Sequence, residues 1–476
     1  MAFWNRTKSF EAATSRSTHS ALKPTLSWVH LVGLGVGGIV GTGILTLTGV
    51  GAGVAGPGVI LSFVIAGVVC AAAALAYAEM ATMMPMAGSA YTYTYVALGE
   101  LLAWIVGWTL ILEYTVVCSA VAVGWSGYAA GVIRSAGWGV PEALLAGPYD
   151  QLHPGGLINV PAIFISLAVA GLLAIGSRES ATVNLVLVGV KLVALAIFIA
   201  LALPAFDANH FEPFAPFGYG STEIAGGKKV GVMAAAAIIF FAFYGFDAVS
   251  TAAEETKNPK RDLKIGIVGS MILCTLLYMV VATAALGGAK YTELAASSEP
   301  LALVLRILKH PAAATVVGSA AVIALPTVIM AFMYGQSRIF FVMARDGLLP
   351  QRLSAVNPRS GTPVLMTFIT SIVVALVAAF VPLDDIASVA NAGTLIAFIA
   401  VAVCMMVTRR THPQHPRMFS STATWIIGVV AVIGCIWLFS SLRHVTMLAA
   451  LIWNVVGLAI YLLWARRKSL LEPATG

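Results

Sequence analysis

The sequence is short of charge. Lys, Arg, Asp and Glu make up 10% of its 476 residues, against roughly a quarter in an ordinary soluble domain. That shortage excludes a water-soluble globular protein of this length, whose helices would each need a polar face. Cysteine is scarce too. Cys70, Cys118, Cys274, Cys404 and Cys435 all fall inside apolar runs, where a thiol behaves as a small hydrophobe, so no disulfide framework is expected. The eight histidines sit at the ends of runs or in loops, and none makes an i, i+4 pair within a run. That removes the usual helical metal site, and neither a metal nor a cofactor is expected. Without a histidine cluster or an activated nucleophile inside the runs, an embedded enzyme is disfavoured.

What the sequence has is hydrophobicity, 59% of all residues, in runs of about 20 residues that each suffice to cross the hydrocarbon layer as a helix. Twelve such spans are centred near residues 41, 70, 114, 167, 191, 243, 276, 326, 372, 395, 432 and 455. The expected fold class is therefore an all-α polytopic membrane protein of twelve transmembrane helices. The first 27 residues are polar, lack the apolar stretch of a secretory signal, and read as a cytosolic tail. With the N-terminus inside, 19 of the 27 Lys and Arg fall on the inner side, seven on the outer side, and Lys191 within the membrane. This asymmetry puts both termini in the cytosol, residues 468–476 forming the second tail. The net charge of +7 is mostly topology and implies no nucleic-acid partner.

Glycine is concentrated in the first span, "GLGVGGIVGTGIL". Gly33, Gly35 and Gly38 satisfy a dinucleotide-binding spacing, but no strand precedes it and the first acid after it is Glu79, too far on for the ribose contact of that motif. Gly33, Gly35 and Gly37 read as small-residue packing between helices. Gly41, Thr42 and Gly43 read as a helix break, because irregular backbone survives in a bilayer only where it lines a cavity and glycine tolerates the dihedrals that stop a helix. Span 6 carries "FFAFYGFDAVS", with Gly245 and Asp247 near its middle. Each break lies about 14 residues into its span, roughly 20 Å at helical rise and close to the midplane. Paired breaks at corresponding positions of two halves mark a transporter. The positive end of one half-helix suits a carboxylate and free carbonyls suit an ammonium group, so the pair can read both ends of an α-amino acid.

Ionisable side chains at mid-membrane cost at least a few kcal/mol and are functional suspects. Lys191 is centred in span 5, Glu113 lies near the middle of span 3, and Asp247 follows the second break. Two structural alternatives stand beside a functional role: a Glu113–Lys191 ion pair, and an Asp247 whose oxygens are satisfied by backbone at a half-helix end. Glu79, near the inner end of span 2, reads as structural or gating. Phe241, Phe243, Tyr244 and Phe246 are either ordinary packing or the wall and lid of a small pocket. Met330, after Pro326 in span 8, is an unbranched filler that could cap it.

Four motifs in order, "GVGGIVGTGI", "YAEMATMMPMAGSAYTYTY", "FFAFYGFDAVSTAAEETKNPKRDLKIGI" and "YGQSRIFFVMARDGLLP", resemble the amino acid–polyamine–organocation superfamily and, within it, the cationic amino acid transporter family. The likeness runs from Trp28 to Arg410. It implies the LeuT-type inverted repeat, with spans 1–5 (residues 28–203) mirrored by spans 6–10 (230–410), helices 1 and 6 broken, and two extra spans over 411–467. It also implies a substrate site at Ile39, Val40, Gly41, Thr42, Gly43 and Ile44 of span 1 and Phe240, Phe241, Ala242, Phe243 and Tyr244 of span 6. The carboxylate would sit at the amides of Thr42 and Gly43. The amino group would sit at carbonyls near Ile39 and in the second stretch, with Phe241 as a gate. Lys191 matches the span 5 lysine that stands in the place of a coupling sodium ion, which implies proton coupling. Animal members carry two more spans, so twelve spans resemble a bacterial member of the inner membrane, not restricted to arginine and lysine. The expected function is proton-coupled symport of L-amino acids across the lipid bilayer, with exchange of amino acids or polyamines as the alternative.

Overall fold

The computed structural model describes residues 6–9, 23–135, 137–139, 141–149, 155–224, 228–297, 299–358 and 360–470. Most of the expected N-terminal tail and the last six residues lie outside the described residues.

Ten described helices are long and apolar enough to cross a membrane, and two shorter apolar helices, α7 (Val160–Ile175) and α16 (Val364–Phe380), lie where spans 4 and 9 are expected. Helices prevail because hydrocarbon offers no partner to an unbonded N–H or C=O. The uninterrupted long ones are α4 (Val59–Met83), α6 (Glu100–Ser135), α8 (Ser177–Ala202), α11 (Pro259–Gly288), α17 (Leu383–Thr411), α18 (Ser421–Ser440) and α19 (His444–Leu463). Their termini follow local chemistry. Asn159 caps α7 by accepting from Ala162 N at 3.1 Å, and Pro161 stands in the first turn, where its missing N–H costs nothing.

The first and sixth expected spans are each broken into separate segments. The first runs as α1 (Trp28–Ile39), α2 (Thr42–Leu45) and α3 (Leu47–Ala55). The sixth runs as α9 (Val232–Ile239), a 3₁₀ turn Phe240–Phe243 and α10 (Phe246–Thr251). Burial separates centre from rim: 94% of the apolar window in Val232–Thr251 is buried, against 22% in His444–Arg467. The last helix instead offers Leu448, Leu451 and Val455 to its surroundings, each more than half exposed, as a lipid-facing surface requires. It is tied to α6 by a reciprocal pair, Trp108 Nε1 donating to Trp453 O and Trp453 Nε1 to Trp108 O, both at 2.9 Å.

The glycines before the first break pack as expected. A Cβ on Gly33 would meet Leu185 at 2.9 Å, and one on Gly35 would meet Ser270 of α11 at 2.4 Å. Beside the helices, the described residues include one small sheet. An antiparallel hairpin pairs β1 (Thr222–Ile224) with β2 (Lys228–Val230), in the polar loop before α9 where no bilayer enforces helix. Between α11 and span 8 the chain adds short helices α12 (Tyr291–Ala295) and α13 (Pro300–Ile307), and span 8 is split at Leu325 into α14 (Pro311–Ala324) and α15 (Pro326–Arg345). The start of α1 is pinned to the segment after α10, Leu26 N donating to Glu255 O and Lys257 N to Leu26 O, each at 2.9 Å.

Candidate substrate site between two broken helices

The first break lies one residue earlier than expected. Val40 is extended and Gly41 is irregular (φ −152°, ψ −142°), whereas Thr42, Gly43 and Ile44 already belong to α2. The leading N–H groups of a helix have no intrahelical acceptor, so the amides of Thr42 and Gly43 are set at a helix start. In the second break Tyr244 is extended and Gly245 takes φ 119°, a conformation open to glycine and strained for other residues.

The breaks touch. A Cβ on Gly43 would stand 2.3 Å from Ala242 Cα, and one on Gly245 would stand 2.5 Å from Gly38 C. Span 8 closes a third side, where a Cβ on Gly41 would meet Val328 at 2.5 Å. Phe241 and Tyr244 pack with ring centroids 5.2 Å apart, and the Tyr244 hydroxyl bonds Asn391 Oδ1 of α17. Asn391 Nδ2 donates in turn to Ala237 O at 3.0 Å.

The carbonyls released by the first break are claimed by side chains. Ile39 O accepts from the Tyr278 hydroxyl of α11 at 2.5 Å. Lys191 Nζ donates to Gly37 O at 3.1 Å and to Val40 O, and lies 2.6 Å from Thr327 Oγ1 of α15. Lys191 is 3% exposed. Its partners are thus two carbonyls at the end of α1 and a hydroxyl of α15. The Glu113–Lys191 ion pair is absent among the described residues.

Glu113 is buried, and neither of its oxygens has a hydrogen-bond partner among the described residues. Its Cβ lies 3.0 Å from where a Cβ on Gly393 would be. Asp247 is satisfied at the start of α10, accepting from Gly245 N at 3.1 Å and from the Tyr114 hydroxyl. Glu79 pairs with Arg417 at 3.1 Å, a structural contact far from the breaks in sequence. Met330 borders a small crevice with His30, Leu34, Asn184 and Tyr334, towards the end of the bundle where α1 begins.

The structure therefore brings Lys191, both breaks, Phe241 and Tyr244 into one centre. Sequence reasoning missed Tyr278, Thr327, Asn391, Tyr114 and Asn184. Their one signal was a polar side chain inside an apolar run, the kind of residue a bilayer helix keeps only where it finds a partner.

The profile of the amino acid permease family matches residues 26–463. The chain is 42% identical over 461 residues to the branched-chain amino acid permease BcaP of Bacillus subtilis, covering 97% of both chains. It is 38% identical to the methylthioribose transporter of the same organism, over 98% of this chain and 99% of that one. It is 36% identical to the vacuolar cationic amino acid transporter 4 of Arabidopsis thaliana, over 85% of this chain and 66% of that protein. A broken-helix centre at the heart of a multi-pass helical bundle, matched by that profile over nearly its whole length, makes this chain a member of the amino acid permease family within the amino acid–polyamine–organocation superfamily.

Proposed function

We propose that this protein is a secondary active transporter of L-amino acids, working by alternating access as a proton symporter in a bacterial cell membrane with both termini cytosolic. The observation that carries the reading is the meeting of two broken helices with a buried lysine bonded to carbonyls at the end of the first half-helix. In this reading the twelve helices form two inverted five-helix repeats, 28–203 and 230–410, followed by two further spans. The α2 amides of Thr42 and Gly43 take the substrate carboxylate. Carbonyls near Ile39 and in the 240–243 turn take its ammonium group, while Phe241 and Tyr244 wall the side chain.

Lys191 carries the coupling proton. Protonated, it donates to Gly37, Val40 and Thr327 and ties the broken helix to α8 and α15. Deprotonated, it loses one of its three donors and the charge that strengthens the others, and the tie loosens. One group thus reports the proton to the amino acid site. The name of the 42% identical relative, a branched-chain amino acid permease, and the apolar side chains at the breaks (Ile44, Val328, Phe241, Phe243) favour neutral branched side chains over cationic ones.

The test is uptake of each of the twenty amino acids and of methylthioribose into proteoliposomes, with and without an inward proton gradient. Gradient-dependent accumulation of L-leucine, L-isoleucine or L-valine supports the reading. Saturable counterflow with no response to the gradient establishes exchange instead, and accumulation of methylthioribose alone overturns the substrate class.

A further inference from the structure

Two side chains of α8 hold α1 by its backbone, and the proposed mechanism uses one of them. The other is Asn184, seven residues before Lys191 and so on the same face two turns away. Its Nδ2 donates to Gly33 O at 2.8 Å, and the residue is 1% exposed. The fit is close: a Cβ on Gly37 would stand 2.7 Å from Asn184 Oδ1 and 2.9 Å from Nδ2. Gly37 is bare because the carboxamide lies against it.

The position of this contact gives it a task. Asn184 borders a small crevice that His30 and Leu34 of α1 and Met330 and Tyr334 of α15 also line. The later part of α1 is packed against Val249, Ser270 and Ala331, while one side of its beginning faces this crevice. On that side the segment has fewer dispersion contacts, so the Asn184 bond contributes more to its position. The chemistry of that bond differs from that of Lys191. A carboxamide has no proton to gain or lose in the physiological range. The titratable neighbours are Cys274 of α11 beside Lys191 and His30 and Tyr334 at the crevice, and His30 Nδ1 is engaged with Ser27 Oγ at 2.9 Å.

We propose that Asn184 is a positioning residue, a proton-independent clasp that keeps the first half of the broken helix shut against α8 and α15 and must part before the crevice opens. The proposal rests on the alternating-access reading above. Loss of the Lys191 proton then leaves the Asn184–Gly33 bond in place. It sets how far the gate stays closed between proton release and substrate release.

The probe is a cysteine in place of Leu34, on α1 at the crevice, in the purified full-length protein; the five native cysteines are buried. The rate of maleimide labelling at that position reads the opening. Asn184→Ala is expected to raise it about fivefold, the population shift that one net hydrogen bond supports. The ratio should be the same in acid and alkaline buffer, which a loss of Lys191 contacts would not give. Asn184→Gln, which keeps the donor amide, should restore at least half of the protection. Gly37→Ala, which pushes the carboxamide aside, should mimic Asn184→Ala and add nothing to it.

Unchanged labelling in a folded Asn184→Ala protein overturns the clasp. Where that variant fails to fold, unchanged labelling in Gly37→Ala does the same. The two readings separate in the Leu34→Cys protein alone. If neither L-leucine nor L-alanine alters its labelling, alternating access fails and the clasp falls with it. If substrate alters labelling while Asn184→Ala does not, only the clasp falls.

Discussion

Replacing Lys191 by methionine keeps the length of the side chain and removes its charge and its donors. Three contacts go: those to Gly37 O, Val40 O and Thr327 Oγ1. Gly37 O is not orphaned, because Thr327 Oγ1 lies 3.1 Å from it. Val40 O loses its charged donor, and a buried acceptor left unmade costs about 1–3 kcal/mol. Against this, the variant no longer holds an ammonium group at mid-membrane, itself a cost of at least a few kcal/mol. The two effects are of similar size and opposite sign. The variant should therefore fold, with Asn184 on Gly33 and Tyr278 on Ile39 still fixing α1. What it loses is the connection between proton and gate. Gradient-driven accumulation of L-leucine in proteoliposomes should fall to the level of protein-free vesicles, while thermal unfolding in detergent shifts little. A second variant separates the competing ion-pair account, in which Glu113→Gln restores Lys191→Met. With no such pair among the described residues, the double variant should be as uncoupled as the single one. A well-folded Lys191→Met protein that still concentrates substrate under an inward proton gradient would falsify the coupling role.

Three other outcomes follow from the geometry. Gly43→Val sets side-chain atoms against the backbone of Ala242, where even a Cβ would come within 2.3 Å; substrate binding should vanish in a protein that still inserts and purifies, and an unaltered affinity in equilibrium binding sinks the assignment of Gly43. Met330→Ser shortens a wall of the crevice and should admit longer side chains such as arginine with little loss for alanine, so an unchanged spectrum in competition uptake removes Met330 from the substrate path. Arg338→Met strips the guanidinium from Glu255, a pair 2.8 Å apart with both side chains 1% exposed. Leaving one buried charge unpaired costs about 3–5 kcal/mol, and Glu255→Gln in the same chain should recover much of the loss in melting temperature.

The sequence made some of this legible and concealed the rest for physical reasons. A lone lysine in an apolar run is conspicuous, so Lys191 could be singled out. Its acceptors could not be named, because a backbone carbonyl has no letter of its own and Thr327 lies 136 residues away. Those acceptors are Gly37 O and Val40 O. The glycine pair marked the first break to within a residue, since Gly41 alone supplies the irregular dihedrals and Gly43 is needed for contact with Ala242. Glu113 was visible as a charge, but its want of a partner depends on tertiary packing. The hairpin at Thr222–Ile224 and Lys228–Val230 was overlooked because a few exposed residues outside the membrane leave too weak a pattern to read.

The contact of the two breaks has a mechanical consequence. With Gly43 against Ala242 and Gly38 against Gly245, the surfaces that would grip an amino acid are already gripping one another. A substrate bound as proposed would enter as a wedge, its affinity diminished by the work of parting them. Weak binding of this kind does not handicap a carrier. The same glycine contacts re-form when the cargo leaves, so the energy spent on admission returns as an expulsive force.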